Sequence, residues 1–163
     1  MNGGMELYLH MPFCVRKCAY CDFLSFPTDQ ETQNLYTRRL REDIDAMGKK
    51  YGDIPVDTIF IGGGTPSVPD SALIVGIMEH VRKAFHVAEI SMEANPGTVT
   101  REKLTDYRRA GINRLSFGLQ SANDRELKLL GRIHTWAEFL ESFHLARECG
   151  FTNINIDLMS ALP

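Results

Sequence analysis

Cys14, Cys18 and Cys21 place three thiols within eight residues, three and then two residues apart, and the chain's fourth cysteine, Cys149, lies far downstream. Thiolates this close can hold three corners of one inorganic centre, because soft sulfur ligands select zinc, Cu(I) or iron–sulfur clusters. A structural zinc needs a fourth ligand to close its tetrahedron. His10 is the nearby candidate, but it lies upstream of the cysteines at a spacing that matches no usual zinc pattern. An iron–sulfur cube held by three cysteines leaves one iron open to an outside ligand. A disulfide framework is disfavoured, since no export signal precedes the cluster and four cysteines in 163 residues is sparse.

Further chemistry-bearing residues recur downstream. Gly62-Gly63-Gly64-Thr65-Pro66-Ser67 is a glycine loop in which the missing Cβ atoms would let backbone groups approach a ligand, or simply make a tight turn. It is not the dinucleotide fingerprint, because Ser67 stands where the last glycine should be. Glu93 falls on an apolar stretch, where a carboxylate needs a partner. A ribose offers two hydroxyl donors, and Arg114 offers a salt bridge. Arg132 can grip a carboxylate through both ends of its fork, or be a surface arginine. Asp157 reads as an acidic group at a buried strand end, and Gln120 closes the strand before it. His80, His86, His134 and His144 share no metal-ligand spacing with the cysteines. Cys149 reads as a small buried hydrophobe, and Trp136 as core or interface.

The string Tyr8-Leu9-His10-Met11-Pro12-Phe13-Cys14, with Cys18-Ala19-Tyr20-Cys21-Asp22-Phe23, resembles the cluster loop of radical S-adenosylmethionine (SAM) proteins. Within that superfamily it is similar to the coproporphyrinogen III dehydrogenase branch, and there to the HemW-type haem chaperones. The dehydrogenases carry a fourth cysteine two residues after the third, where this chain has Phe23. The resemblance implies a [4Fe–4S] cluster on Cys14, Cys18 and Cys21, whose open iron chelates SAM, and an electron donor that reduces it. One electron then splits the sulfonium to methionine and a deoxyadenosyl radical. It further implies SAM contacts from Tyr8, Tyr20, Gly63, Gly64, Thr65 and Glu93, and a SAM and substrate pocket lined by Gln120, Arg132 and Asp157. The function implied is haem binding and delivery to acceptor proteins. The alternatives are an oxygen-independent coproporphyrinogen III dehydrogenase and, from a different class, a zinc-stabilised structural module without catalysis.

Composition is that of an ordinary globular domain, with 44% hydrophobic and 24% charged residues. A net charge of −3 offers no footprint for nucleic acid. No apolar run approaches the ~20 residues of a membrane-spanning helix. With no export signal at the start, reduced cysteines and a cytoplasmic location are expected.

Strand and helix signals alternate along the chain. Apolar runs at Leu7–Pro12, Val56–Ile61, Glu89–Ala94, Arg114–Leu119 and Ile154–Leu158 read as strands. Between them, Thr28-x-x-Glu31 reads as a capping box for a helix with Leu35, Leu40, Ile44 and Met47 on one face. Asp70 caps a second helix, with Leu73, Ile74, Ile77, Met78 and Val81 at helical spacing. Thr100 opens and Gly111 closes a third, a short turn follows over Asp124–Leu130, and Thr135-x-x-Glu138 caps the last. Such alternation predicts an α/β fold of parallel strands with helical crossovers. By resemblance it is a partial (β/α)6 radical SAM barrel that stops after the fifth strand. Residues 1–163 are therefore expected to be the N-terminal portion of a longer core domain, with strand five as an unpaired and aggregation-prone edge. Every candidate residue falls at or just beyond a strand C-terminus, except Tyr8 within the first strand. Parallel sheets place their ligands at that end.

Overall fold

A computed structural model describes residues 4–162. Five strands, β1 (Met5–Met11), β2 (Val56–Gly63), β3 (Val87–Ala94), β4 (Arg114–Gln120) and β5 (Asn153–Leu158), form one sheet in the order of the sequence. Every neighbouring pair is parallel. The crossovers carry α1 (Gln30–Tyr51), α2 (Ser71–Ala84), α3 (Arg101–Arg109), α4 (Asp124–Leu129) and α5 (Trp136–Glu148). Sequential parallel order with helical crossovers is a section of a barrel wall.

Period-two alternation divides the sheet into an apolar and a polar face. Leu9, Ile59, Ile61, Ile90, Met92, Leu115 and Phe117 are buried in the core with helix residues such as Ile44, Ile74, Ile77 and Leu104. Burying each such side chain contributes roughly 1.5–3 kcal/mol. The intervening positions, Tyr8, His10, Glu93, Ser116, Gly118 and Asp157, belong to the other face. Parallel register sets Glu93 beside Ser116, and Gly118 beside Asp157.

The helices start where cap chemistry dictates, with one shift. Asp70 accepts from the Ala72 amide, Thr100 from Lys103, and Thr135 forms a reciprocal capping box with Glu138. In α1 the cap is Asp29 rather than Thr28, its carboxylate accepting from the Thr32 amide. The buried stripe of α1 also differs from expectation. Gln33, Thr37 and Ile44 face inward, while Leu35 (57% exposed) and Met47 (47%) face out. Thr37 can be buried because its hydroxyl donates to the Gln33 carbonyl within the helix. Ser91, which alternation sets on the polar face with Glu93, is also buried, for it accepts from Arg114 and donates to Glu89.

Candidate functional site

The cysteine loop leaves the end of β1 and returns to it. Phe26 N–H donates to the Pro12 carbonyl at 2.9 Å, Cys14 N–H donates to the Phe26 carbonyl at 3.2 Å, and Phe13 and Phe26 form a parallel bridge. Within the loop, Cys21 N–H closes a turn onto the Cys18 carbonyl. His10 holds the returning strand: its Nε2 lies 2.9 Å from the Leu24 carbonyl, and Nδ1 lies 3.3 Å from the Tyr8 hydroxyl. With Nε2 donating, Nδ1 is left as acceptor for the Tyr8 O–H. Both ring nitrogens are thus used inside the protein, away from the thiols. Among the described residues, no three His, Cys, Asp or Glu side chains converge closely enough to hold a metal without rearranging.

The glycine loop packs directly under that loop. Gly64 N–H donates to the Met11 carbonyl at 2.8 Å and Thr65 N–H to the Phe13 carbonyl at 2.6 Å. A Cβ on Gly64 would come within 2.7 Å of the Phe13 carbonyl oxygen, and one on Gly63 (φ 113°) would collide with the His10 ring. Here the missing Cβ atoms serve the contact between two protein segments. Thr65 is buried, accepts from Asn95 Nδ2 at 3.0 Å, and sets its hydroxyl 3.8 Å from Cys14 Sγ.

Polar side chains from β3, β4 and β5 complete the wall. Glu93 Oε2 accepts the Gly63 amide at 3.1 Å. Burial pushes its carboxyl up from the usual range, and Asp157 adds to the rise, while the Gly63 hydrogen bond and His10 oppose it. Arg114 is occupied with Ser91, so the salt bridge considered for Glu93 does not form. Asp157 accepts from Ser116 Oγ and from Asn155 Nδ2 at 2.7 Å. It is exposed, contrary to its expected place at a buried strand end, because β5 is the edge of the sheet, paired with β4 alone among the described strands. Gln120 adopts φ 74°, and the β4–β5 register shifts between Gly118 and Gln120. A left-handed non-glycine residue costs on the order of 1–3 kcal/mol and marks a place where surroundings impose the backbone.

Arg132 stands at the centre. Its Nη2 donates to the Gly118 carbonyl at 2.6 Å and to Asn95 Oδ1, and its Nη1 donates to Tyr20 Oη at 3.4 Å and Cys18 Sγ at 3.5 Å. Its Nε is buried without a partner. The carboxylate pairing considered for this residue is replaced by neutral oxygens and a thiol.

These elements enclose one cavity of about 350 Å³, lined by Cys14, Cys18, Cys21, Tyr20, Gly63, Gly64, Thr65, Glu93, Gln120, Arg132 and Asp157. Of the expected residues, Tyr8 alone is outside the lining. It is no core tyrosine, being 57% exposed and stacked on Phe60 at 6.2 Å, with its hydroxyl toward His10. Asn95, Ser116, Gly118 and Arg16 also line the cavity and were not foreseen. Neither Asn95 nor Gly118 carries a site signal in its residue type or spacing. Their roles become visible only when β3 and β4 lie side by side.

The Radical SAM superfamily model matches residues 8–163. The chain belongs to the radical SAM superfamily. It is 43% identical to the heme chaperone HemW of Escherichia coli (strain K12) over 98% of this chain and 43% of that protein. It is 38% identical to the heme chaperone HemW of Bacillus subtilis (strain 168), covering 96% of this chain and 42% of that one. Among solved structures, the radical SAM enzyme coproporphyrinogen III oxidase (HemN) from Escherichia coli superposes with TM-score 0.90 at 32% identity, covering all of this chain and 39% of that one. The chain thus spans less than half the length of the relatives it matches. These likenesses establish a partial radical SAM fold and a relationship to haem and porphyrin proteins. Membership implies a [4Fe–4S] cluster and SAM, and the donor set fits both. Three thiols share a cavity with a buried, partnerless Arg132 Nε, a desolvated carboxylate and a cradle of glycines. Among the described residues, no helix is long and apolar enough to cross a membrane.

Proposed function

We propose that this chain is the N-terminal portion of a HemW-like core that binds a [4Fe–4S] cluster and SAM, and that the protein it forms carries haem to acceptor proteins in the cytoplasm. One observation supports the reading above the others: three cysteine thiols and the polar ends of four neighbouring strands and loops open onto a single cavity. Cys14, Cys18 and Cys21 would hold the cluster. Gly63, Gly64, Thr65, Glu93, Gln120, Arg132 and Asp157, with Tyr8 and Tyr20 beside them, would hold SAM. When bound, the cluster supplies an electron to the SAM sulfonium, chemistry that belongs to the cofactor. The protein's own residues place and shield. Glu93, half-buried and already accepting the Gly63 amide, has a second oxygen to receive a hydroxyl donor. Thr65 and Asn95 hold the glycine loop against the cysteine loop. Tyr20 covers one side, its phenol pushed further up by burial and its oxygen accepting from Arg132 Nη1 at 3.4 Å.

Phe23 separates the chaperone reading from coproporphyrinogen III dehydrogenase. It lines the cavity and is 66% exposed, so the position of the dehydrogenases' fourth cysteine is open to solvent but carries no sulfur. The HemN likeness keeps the second reading in play as an alternative with a distinct outcome. The test is anaerobic reconstitution of the wild type and a C14S/C18S/C21S variant, followed by iron and sulfide analysis, SAM calorimetry and haem titration. A brown protein with about four irons, lost in the variant, that binds SAM and shows a Soret shift with haem supports the proposal. Decarboxylation of coproporphyrinogen III by the full-length protein would favour the dehydrogenase. One zinc per chain, no colour and no SAM binding would overturn both.

A further inference from the structure

Arg132 touches the cysteine loop in a way that SAM binding does not require. We propose that it is a positioning residue for Cys18, and that its N–H donation to the Cys18 sulfur raises the reduction potential of the cluster. This rests on the cluster reading above. Gly131 (φ 74°) turns the chain after α4 so that Arg132 points back across the cavity. Two acceptors, the Gly118 carbonyl and Asn95 Oδ1, fix Nη2 from the β3 and β4 ends. With the guanidinium planar, fixing Nη2 also fixes where Nη1 points, and it points at Cys18 Sγ and Tyr20 Oη.

The same short segment grips the loop a second way. Arg16 Nη2 donates to the Gly131 carbonyl at 2.7 Å, and Ala19 N–H donates to the Leu130 carbonyl at 3.1 Å. Cys18 is therefore held from both sides, by its neighbour's backbone and through its own sulfur. The three thiols are not equivalent: Cys14 has the neutral Thr65 hydroxyl at 3.8 Å, whereas Cys18 meets a fixed cation. Hydrogen bonds to ligand sulfur and nearby positive charge stabilise the reduced, more negative cluster and raise its potential. Arg132 and Arg16 thus divide the work. Arg16 orders the loop, and Arg132 both orders it and tunes the metal.

The experiment is potentiometric titration, followed by electron paramagnetic resonance, of reconstituted full-length protein without SAM, comparing wild type, R132Q, R132K and R16M. Omitting SAM keeps any contact between Arg132 and SAM out of the readout. We expect R132Q to lower the equilibrium constant for one-electron reduction at least tenfold, about 59 mV, with R132K between it and wild type. R16M should load less cluster but keep the wild-type potential. Should R132Q fail to load, R132K decides: a lowering of threefold or more, about 28 mV, supports the inference. Fully loaded Arg132 variants at the wild-type potential would overturn it, as would an R16M shift equal to that of R132Q. A wild type that takes up no cluster would instead sink the proposed function.

Discussion

Gly64→Ala tests the packing that joins the two loops, independently of any cofactor. The new Cβ would meet the Phe13 carbonyl oxygen at 2.7 Å, the Met11 carbonyl oxygen at 2.9 Å and the Phe13 amide nitrogen at 2.9 Å. All three are backbone atoms, so no flexible side-chain end can give way. The glycine loop must move off the base of the cysteine loop, straining or breaking the Gly64–Met11 and Thr65–Phe13 hydrogen bonds. Overpacking of this kind costs about 1–3 kcal/mol, and each lost backbone hydrogen bond about 1 kcal/mol. The sum, about 2–5 kcal/mol, is a large part of the roughly 5–15 kcal/mol that holds a domain together. Thermal unfolding followed by circular dichroism should show a Tm lowered by about 4–20 °C, with reduced iron uptake on reconstitution. Gly76→Ala provides the contrast. It lies in α2, where the closest atom to the added Cβ is the far end of a flexible side chain, Arg41 Nη1 at 3.0 Å, rather than backbone. Relief of glycine's entropy cost should leave that variant unchanged or more stable by up to about 1 kcal/mol. A Gly64→Ala Tm within about 2 °C of wild type would refute the close-packed account of the glycine loop.

Three further outcomes follow from the site. Gln120→Gly should leave stability neutral or improved by about 1 kcal/mol, since it relieves a left-handed backbone, yet weaken SAM binding at least tenfold by calorimetry; marked destabilisation would refute the strain. Glu93→Gln keeps the acceptor for the Gly63 amide and removes a desolvated charge, so chemical denaturation should show unchanged or slightly higher stability at pH 7 while SAM affinity falls. Because the folded carboxyl is raised, the unfolded chain loses this proton first as pH climbs. Stability should therefore decline in wild type as pH rises from the ordinary carboxylate value up through the raised folded one, and not in the variant. His134 is 4% exposed, and neither ring nitrogen reaches a hydrogen-bond partner in good geometry, although the Leu119 backbone lies close enough to favour the charged form. Burial and then the Arg132 charge depress it from 6.5 to about 4. Below 6.5 the unfolded chain takes the proton first, so stability present above that pH is lost as pH falls toward 4, by about 2–3 kcal/mol. His134→Leu should flatten this limb of the curve, and an unaltered pH dependence would count against a buried neutral imidazole.

The sequence by itself determined the element order, four of the helix starts and most of the residues that line the cavity; Tyr8 lies outside the lining, and Asn95, Ser116, Gly118 and Arg16 join it only on folding. Period-two apolar runs, capping residues and the thiol spacing are local signals, and local signals survive without coordinates. The strand alternation of Ile90 and Met92 against Glu93 already names the inward and outward faces. What the tertiary structure alone decided is who touches whom across long separations. Parallel register brings Glu93 beside Ser116, and Gly118 beside Asp157, which turned a list of strand ends into one cavity. The glycines proved to be spacers between two protein segments, because the Phe13 carbonyl and the His10 ring occupy the volume a Cβ would need. Arg132 proved to bind Cys18 rather than a carboxylate, since its direction is set by Asn95 and Gly118 from other strands. Asp157 lay exposed because its strand is the edge of the sheet, paired with β4 alone among the described strands. Spacing along a chain fixes which residues are available, whereas hydrogen-bond direction and burial depend on neighbours that the chain meets only after folding.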